Sequence, residues 1–128
     1  MTKELVKKLK TIHGYLSFSI STSSGRIVGA DIKNMNIEKK DAASVLRDYN
    51  SIFSKIHRNA RVLEIGAIED VVFELEDAFI VLLASKNEEN RLYFLTILSR
   101  EGNINLAKTL VSSYIPSVTE DILKNYTH

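Results

Sequence analysis

Two nearly uninterrupted apolar runs constrain this chain most: Phe79 to Ala84, and Leu92 to Leu98 with Thr96 as its only polar member. Each is too short for a buried helix and is rich in branched and aromatic residues. Each therefore reads as a strand, and a strand with no polar alternation is covered on both faces. The polar loop Ser85 to Asn90 joins them. The fold must therefore place cover on both sides of a sheet whose centre holds these two strands.

The remaining pattern supplies the neighbours and the cover. Leu5, Leu9 and Ile12 recur at helical spacing beside Val6, with Lys7, Lys8 and Lys10 on the other side. Thr2 is placed to cap this helix and Gly14 to end it. Leu16, Phe18 and Ile20 then alternate with Ser17, Ser19 and Ser21, a period of two that marks a strand. That serine face either meets water or admits a helix at close range. Ser23-Ser24-Gly25 turns the chain into a second strand, Arg26 to Ala30. After a polar connection at Asn34 to Asn36, a long helix is expected from about Ile37 to Asn59. Its apolar stripe is Ala42, Val45, Leu46, Tyr49, Ile52, Phe53 and Ile56, the pattern of one buried face. Ala43, Asn50, Ser54 and His57 form a second, more polar strip.

Val71, Phe73 and Leu75 alternate with Val72, Glu74 and Glu76 as a third strand, and Glu76-Asp77 turns into the first apolar run. After Gly102, Asn103 caps a helix carrying Ile104, Ala107, Leu110, Val111 and Tyr114, which Pro116 is expected to end. Ser117 and Glu120 have capping-box spacing for a short terminal helix. The expected fold is an α/β sandwich in the order α-β-β-α-β-β-β-α plus a short C-terminal helix. Its five strands form one mostly antiparallel sheet flanked by helices.

A chain of 128 residues fits one domain, with a core over about 5–115 and a helical extension over 117–126. It contains no cysteine, so disulfides and thiolate metal sites are excluded. The formal net charge of +1 gives no basic excess for nucleic acid. No run is long enough to insert in a membrane, and the charged start lacks a secretion signal, so a cytoplasmic location is expected. The Asn125-Tyr126-Thr127 sequon is then a chance match.

The sequence carries no motif of a known catalytic chemistry. Its five glycines form no phosphate loop. His13, His57 and His128 have no zinc spacing, and no serine sits in a nucleophile elbow. No cofactor or metal site is expected, and no enzyme. The acids do cluster: Glu64, Glu69, Asp70, Glu74, Glu76 and Asp77 run without an intervening Lys or Arg. They read as the solvated side of a strand and its turn, or as a guard on a sheet edge.

The arrangement resembles the roadblock family, the dynein-light-chain and small-GTPase-regulator domains, within the roadblock/profilin-like folds. The resemblance runs from Leu9-x-x-Ile12-x-Gly14-Tyr15 through Ser24-Gly25-Arg26-Ile27-Val28-Gly29-Ala30 and Ala42-Ala43. It continues to Leu63-Glu64-Ile65-Gly66-Ala67-Ile68 and Val71-Val72-Phe73-Glu74. Ser24-Gly25 stands where the family often has Asp-Gly. The resemblance implies a non-catalytic scaffold. It would dimerise with itself or a paralogue through long helices and third strands, and bind a small Ras-like GTPase. Some bacterial relatives stimulate a partner's GTP hydrolysis. Carried onto this chain, the interface residues are Ala43, Arg47, Asn50, Ser54 and His57 on the helix, and Asp70, Val72, Glu74 and Glu76 at the edge.

The acids in that edge oppose symmetric pairing, because like charges across two strands repel. The expectation is a salt-sensitive homodimer or a heterodimer with a more basic paralogue. An alternative is a small-molecule-sensing α/β domain with a pocket among Phe18, Phe73, Phe79 and Tyr93. A third reading is a hydrolytic enzyme whose acidic residues converge in a cleft.

Overall fold

The computed structural model describes residues 1–31 and 39–126. The elements are α1 (Thr2–Leu9), β1 (Tyr15–Thr22), β2 (Ile27–Asp31), α2 (Lys39–Val62), β3 (Asp70–Glu74), β4 (Ala78–Ala84), β5 (Leu92–Ser99) and α3 (Ile104–Tyr126). The expected start of the long helix at Ile37 and the connection at Asn34 to Asn36 lie outside the described residues, as does His128.

The sheet has the order β2-β1-β5-β4-β3, and every pairing is antiparallel. The two apolar runs are its inner members β4 and β5. Their side chains supply both cores, because successive residues point to opposite faces. Val81, Leu83, Leu92, Phe94 and Leu98 join Leu5, Leu9, Val111 and Val118 under α1 and α3. Ile80, Leu82, Tyr93 and Leu95 join Leu46 and Phe53 under α2. Two helices thus cover one face, and among the described residues α2 covers the other alone.

Two local expectations change, at Thr2 and Pro116, and the alternative left open for the β1 serines is decided. Thr2 lies inside α1 rather than capping it, and Met1 takes the cap position without a side-chain bond. The serine face of β1 does not meet water: Ser17, Ser19 and Ser21 are buried. Nor does Pro116 end a helix. α3 is continuous through it, because Ala107, Val111, Tyr114, Val118 and Ile122 keep helical spacing on one buried face across the break. Ser112 and Pro116 are exposed, so the hydrogen bond lost at the proline is on the watered side. Asn103 caps α3 as expected, with Leu106 N–H donating to its Oδ1 at 3.0 Å.

Candidate functional site: the outer shoulder of α2 and the β3 edge

The site begins with how α2 sits on the sheet. Asn50 Nδ2 donates to Ser21 Oγ and to the Thr22 carbonyl, both at 2.9 Å. The Ser54 and Tyr93 hydroxyls share a hydrogen bond of 2.6 Å. Phe53 meets Tyr93 edge-on, and Tyr49 packs against Phe73 of β3 with ring centroids 5.0 Å apart. Short β1 serines leave room for Asn50, and a β5 tyrosine supplies a partner for Ser54. These contacts turn the polar strip inward, toward β1 and β5.

The helix is therefore rotated relative to the sequence reading. Ala42, Leu46 and Phe53 are buried as expected, but Val45, Ile52 and Ile56 are 42%, 39% and 39% exposed. At about 100° per residue these three form a shoulder beyond Tyr49, on the side of the helix that leans toward β3. Of the five helix residues expected at an interface, Asn50 is only 1% exposed, and Ser54 and His57 are half-buried. Ala43 lies against the β1–β2 turn, where its carbonyl would be 2.2 Å from a Cβ added to Gly25. Arg47 alone of the five is exposed.

Among the described residues β3 is an outer strand paired only to β4, in the register Asp70↔Leu83, Val72↔Val81 and Glu74↔Phe79. Val71 and Phe73 face α2 and pack on its core. Asp70, Val72 and Glu74 face the α3 side, and Val72 is 38% exposed. Glu76 is exposed in the turn after the strand. Two bases meet the edge acids. Lys108 Nζ of α3 lies 2.8 Å from Asp70 Oδ2, and Arg100 Nη1 lies 2.7 Å from Glu74 Oε1. Arg100 also donates to the Leu75 carbonyl at 3.2 Å and stacks over Phe79, 4.6 Å from its centroid. Arg61, on α2, pairs instead with Glu88.

The competing sites do not assemble. Phe18 belongs to the core under α1 and α3, whereas Phe73 and Tyr93 belong to the core under α2. The sheet lies between them, so the four aromatic residues line no shared pocket. The acids spread along the loop, the edge and the turn. Among the described residues no group of three or more His, Asp or Glu is placed to hold a metal ion. No helix there is long and apolar enough to cross a membrane. His57 borders an open groove with Arg61 and Arg91. Burial, and then the charges of Arg91 and Arg61, hold its pKa below the ordinary value, which keeps the ring neutral near neutral pH.

No family sequence profile matches the chain, and no curated protein matches it in sequence. Solved structures do. A Roadblock/LC7 domain from Streptomyces avermitilis aligns with a TM-score of 0.76 at 11% identity, covering 96% of this chain and 98% of that one. Myxococcus xanthus MglB aligns with a TM-score of 0.72 at 10% identity, covering 94% and 90%. An MglB with a tetrameric arrangement aligns with a TM-score of 0.76 at 8% identity, covering 94% and 89%. At such identities the likeness is one of fold, and the fold is that of the roadblock domains.

Proposed function

We propose that this chain is a non-catalytic, dimerising scaffold that binds and regulates a small Ras-like GTPase, or holds one in a complex. The observation that carries the reading is uneven cover of the sheet. Five strands at about 4.8 Å spacing make a sheet roughly 19 Å wide between its outer strands. One helix is about 10 Å across with its side chains. Among the described residues α1 and α3 together cover one face, whereas α2 alone covers the other and leaves Val71 and Phe73 of β3 only partly buried. Val45, Ile52 and Ile56 border that shortfall. A second copy of α2, laid beside the first, supplies the missing width, and the outer side of β3 supplies continuous hydrogen bonding between the two sheets.

The roadblock fold supports the same reading, and one MglB of that fold is described with a tetrameric arrangement. A GTPase partner follows from the family resemblance, as does the absence of chemistry of the chain's own. The interface proposed here is Val45, Ile52, Ile56 and Val72, flanked by Arg47, Asp70, Glu74 and Glu76. It leaves out Asn50 and Ser54, which the chain's own sheet already engages, and Ala43 and His57, which share their strip of the helix and are partly buried.

The experiment is direct. The purified full chain is examined by sedimentation for self-association. It is then mixed with small GTPases from the same cell, loaded with GDP or a GTP analogue, and hydrolysis is timed with and without it. Expected are a dimer and nucleotide-dependent capture of one GTPase. Absence of both capture and any rate change across the panel removes the GTPase reading.

A further inference from the structure

Continuing the β4–β5 pairing past Ala84↔Tyr93 brings Lys86 opposite Arg91, on the face of the sheet where Ala84 and Tyr93 meet α2. The ladder reaches this point, since Ser85 N–H donates to the Leu92 carbonyl at 2.9 Å. Like charges directly opposite on two strands repel. α2 adds to the crowding. Ser54 bonds Tyr93, and the next turn of the helix sets His57 near Arg91, with Arg61 one turn further. Three cations thus gather around His57 in a groove of ≈ 1170 Å³, which Ser112 and Pro116 of α3 also line. Glu88 answers only Arg61. The other acids of the groove are Glu69 and Asp70, and Asp70 is held by Lys108. Lys86 and Arg91 form no ion pair among the described residues. Arg91 is half-buried. Its Nε is sealed from solvent with no hydrogen-bond partner among the described residues, as are both ring nitrogens of His57. A half-buried guanidinium opposite a second cation is costly for the fold alone. A bound oxyanion relieves it.

We propose that Lys86, Arg91 and Arg61 bind a phosphate group in this groove, either as inorganic phosphate or as the monoester end of a larger molecule. Two of the cations lack an acid, so a dianion matches them, and a single carboxylate does not. The planar guanidinium of Arg91 supplies donors fitted to phosphate oxygens. His57 registers the occupancy. Burial, and then Arg91 and Arg61, hold its pKa down, with Glu88 opposing them. An anion on the arginines offsets their charge at the ring and raises that pKa. Linkage requires the converse: a protonated His57 tightens anion binding, so affinity rises as pH falls. The site is separate from the shoulder of α2 and does not depend on dimerisation.

The test follows the histidine ring signals of the full chain by NMR from about pH 5 to about pH 8. Sulfate is the first probe, because it keeps two charges over that range, and chloride at equal ionic strength is the reference. Sulfate is expected to raise the His57 pKa and to leave that of His13, an exposed residue beside Glu101, unchanged. Arg91→Met should abolish the response and weaken sulfate binding roughly tenfold. Inorganic phosphate and phenyl phosphate are then titrated at about pH 8, where both are dianions. Tighter binding of phenyl phosphate assigns the site to a monoester, and equal or weaker binding assigns it to free phosphate. Three results overturn the inference: a His57 pKa that is the same in sulfate and chloride or moves no more than that of His13, no response to either phosphate, or a folded Arg91→Met chain that keeps the sulfate response. The wild-type comparison stands by itself if Arg91→Met does not fold.

Discussion

Truncating Asn50 to alanine separates an inward polar strip from an outward one. Asn50 is 1% exposed, and its single amide nitrogen serves Ser21 Oγ and the Thr22 carbonyl, both at 2.9 Å. Asn50→Ala removes both bonds and takes the Asn50 partner from Ser21 Oγ beneath α2, whereas the Thr22 carbonyl keeps the Gly25 N–H at 2.9 Å. A neutral hydrogen bond contributes about 0.5–1.5 kcal/mol net, and a stranded buried group costs about 1–3 kcal/mol. An opposing effect must be subtracted. Asn50 Oδ1 is itself buried and finds no partner among the described residues, so truncation also removes one unsatisfied atom. The balance is a loss of about 2 kcal/mol. In a domain of this size that lowers the melting temperature by roughly 8 °C. The assay is urea unfolding followed by circular dichroism at two protein concentrations well apart, since an associating chain gains stability with concentration. A loss that is equal at both concentrations places Asn50 in its own chain's fold. A loss confined to the higher concentration makes it an interface residue and refutes the inward orientation. A loss under about 0.5 kcal/mol at both refutes the hydrogen-bond argument.

Four further outcomes are expected. Ile52→Asp should cost about 1–2 kcal/mol at low protein concentration, since Ile52 is 39% exposed and loses only part of a full burial, and should weaken self-association more than about tenfold by sedimentation velocity. Gly25→Ala should cost about 2 kcal/mol or more in urea unfolding: the residue has φ of +89°, and the new Cβ would meet the Ala43 carbonyl at 2.2 Å. Pro116→Ala should stabilise the chain by about 1–3 kcal/mol, since it restores an interior helix bond at an exposed site, and a lower melting temperature would contradict the account of α3. His57 is held below its ordinary pKa of 6.5, chiefly by burial and then by Arg91 and Arg61. The unfolded chain therefore binds the proton first as pH falls below that value, and stability drops through the same window. His57→Gln should flatten that part of the profile, and an unchanged slope in melting temperature between pH 7 and 5 would sink the assignment.

The strands were legible in the sequence because their signals are local. A period of two, an unbroken apolar run or a Gly-containing turn is complete within ten residues, and all five strands lie where those signals put them. The rotation of α2 was not legible, because apolarity alone placed the stripe. By that measure Val45, Ile52 and Ile56 outrank Asn50, Ser54 and His57 as core residues. What overrides it is the surface α2 lies on. Ser21 and Tyr93 offer hydroxyls on that face, and both are remote in sequence from the residues they bond. The serines of β1 fitted either water or a close helix, and the polar strip of α2 either solvent or an interface; the contact of Asn50 with Ser21 joins the two inside the chain. Pro116 misled for a related reason. A proline signals a stop locally, but the spacing from Tyr114 to Val118 and Ile122 holds both halves of α3 on one core.

The β3 edge carries the same lesson into function. Read along the chain, Glu64 to Asp77 is a block of negative charge that should repel its own image. Read in space, its two strand carboxylates are held by Arg100 and Lys108, bases that lie well over twenty residues away in the sequence. An unpaired acid on an open strand guards against edge-to-edge association. A paired one loses most of that guarding effect, because a partner strand meets a local dipole rather than a net charge. In the proposed dimer the shoulder of α2 meets the approaching copy with three exposed branched side chains, Val45, Ile52 and Ile56. Charge pairing at the edge and apolar excess on the helix are independent properties of the chain. They converge on one side of the molecule, where Tyr49 packs on Phe73. Removing either alone should therefore weaken association without unfolding the chain, whereas the Asn50 contacts on the opposite flank of the same helix serve the fold.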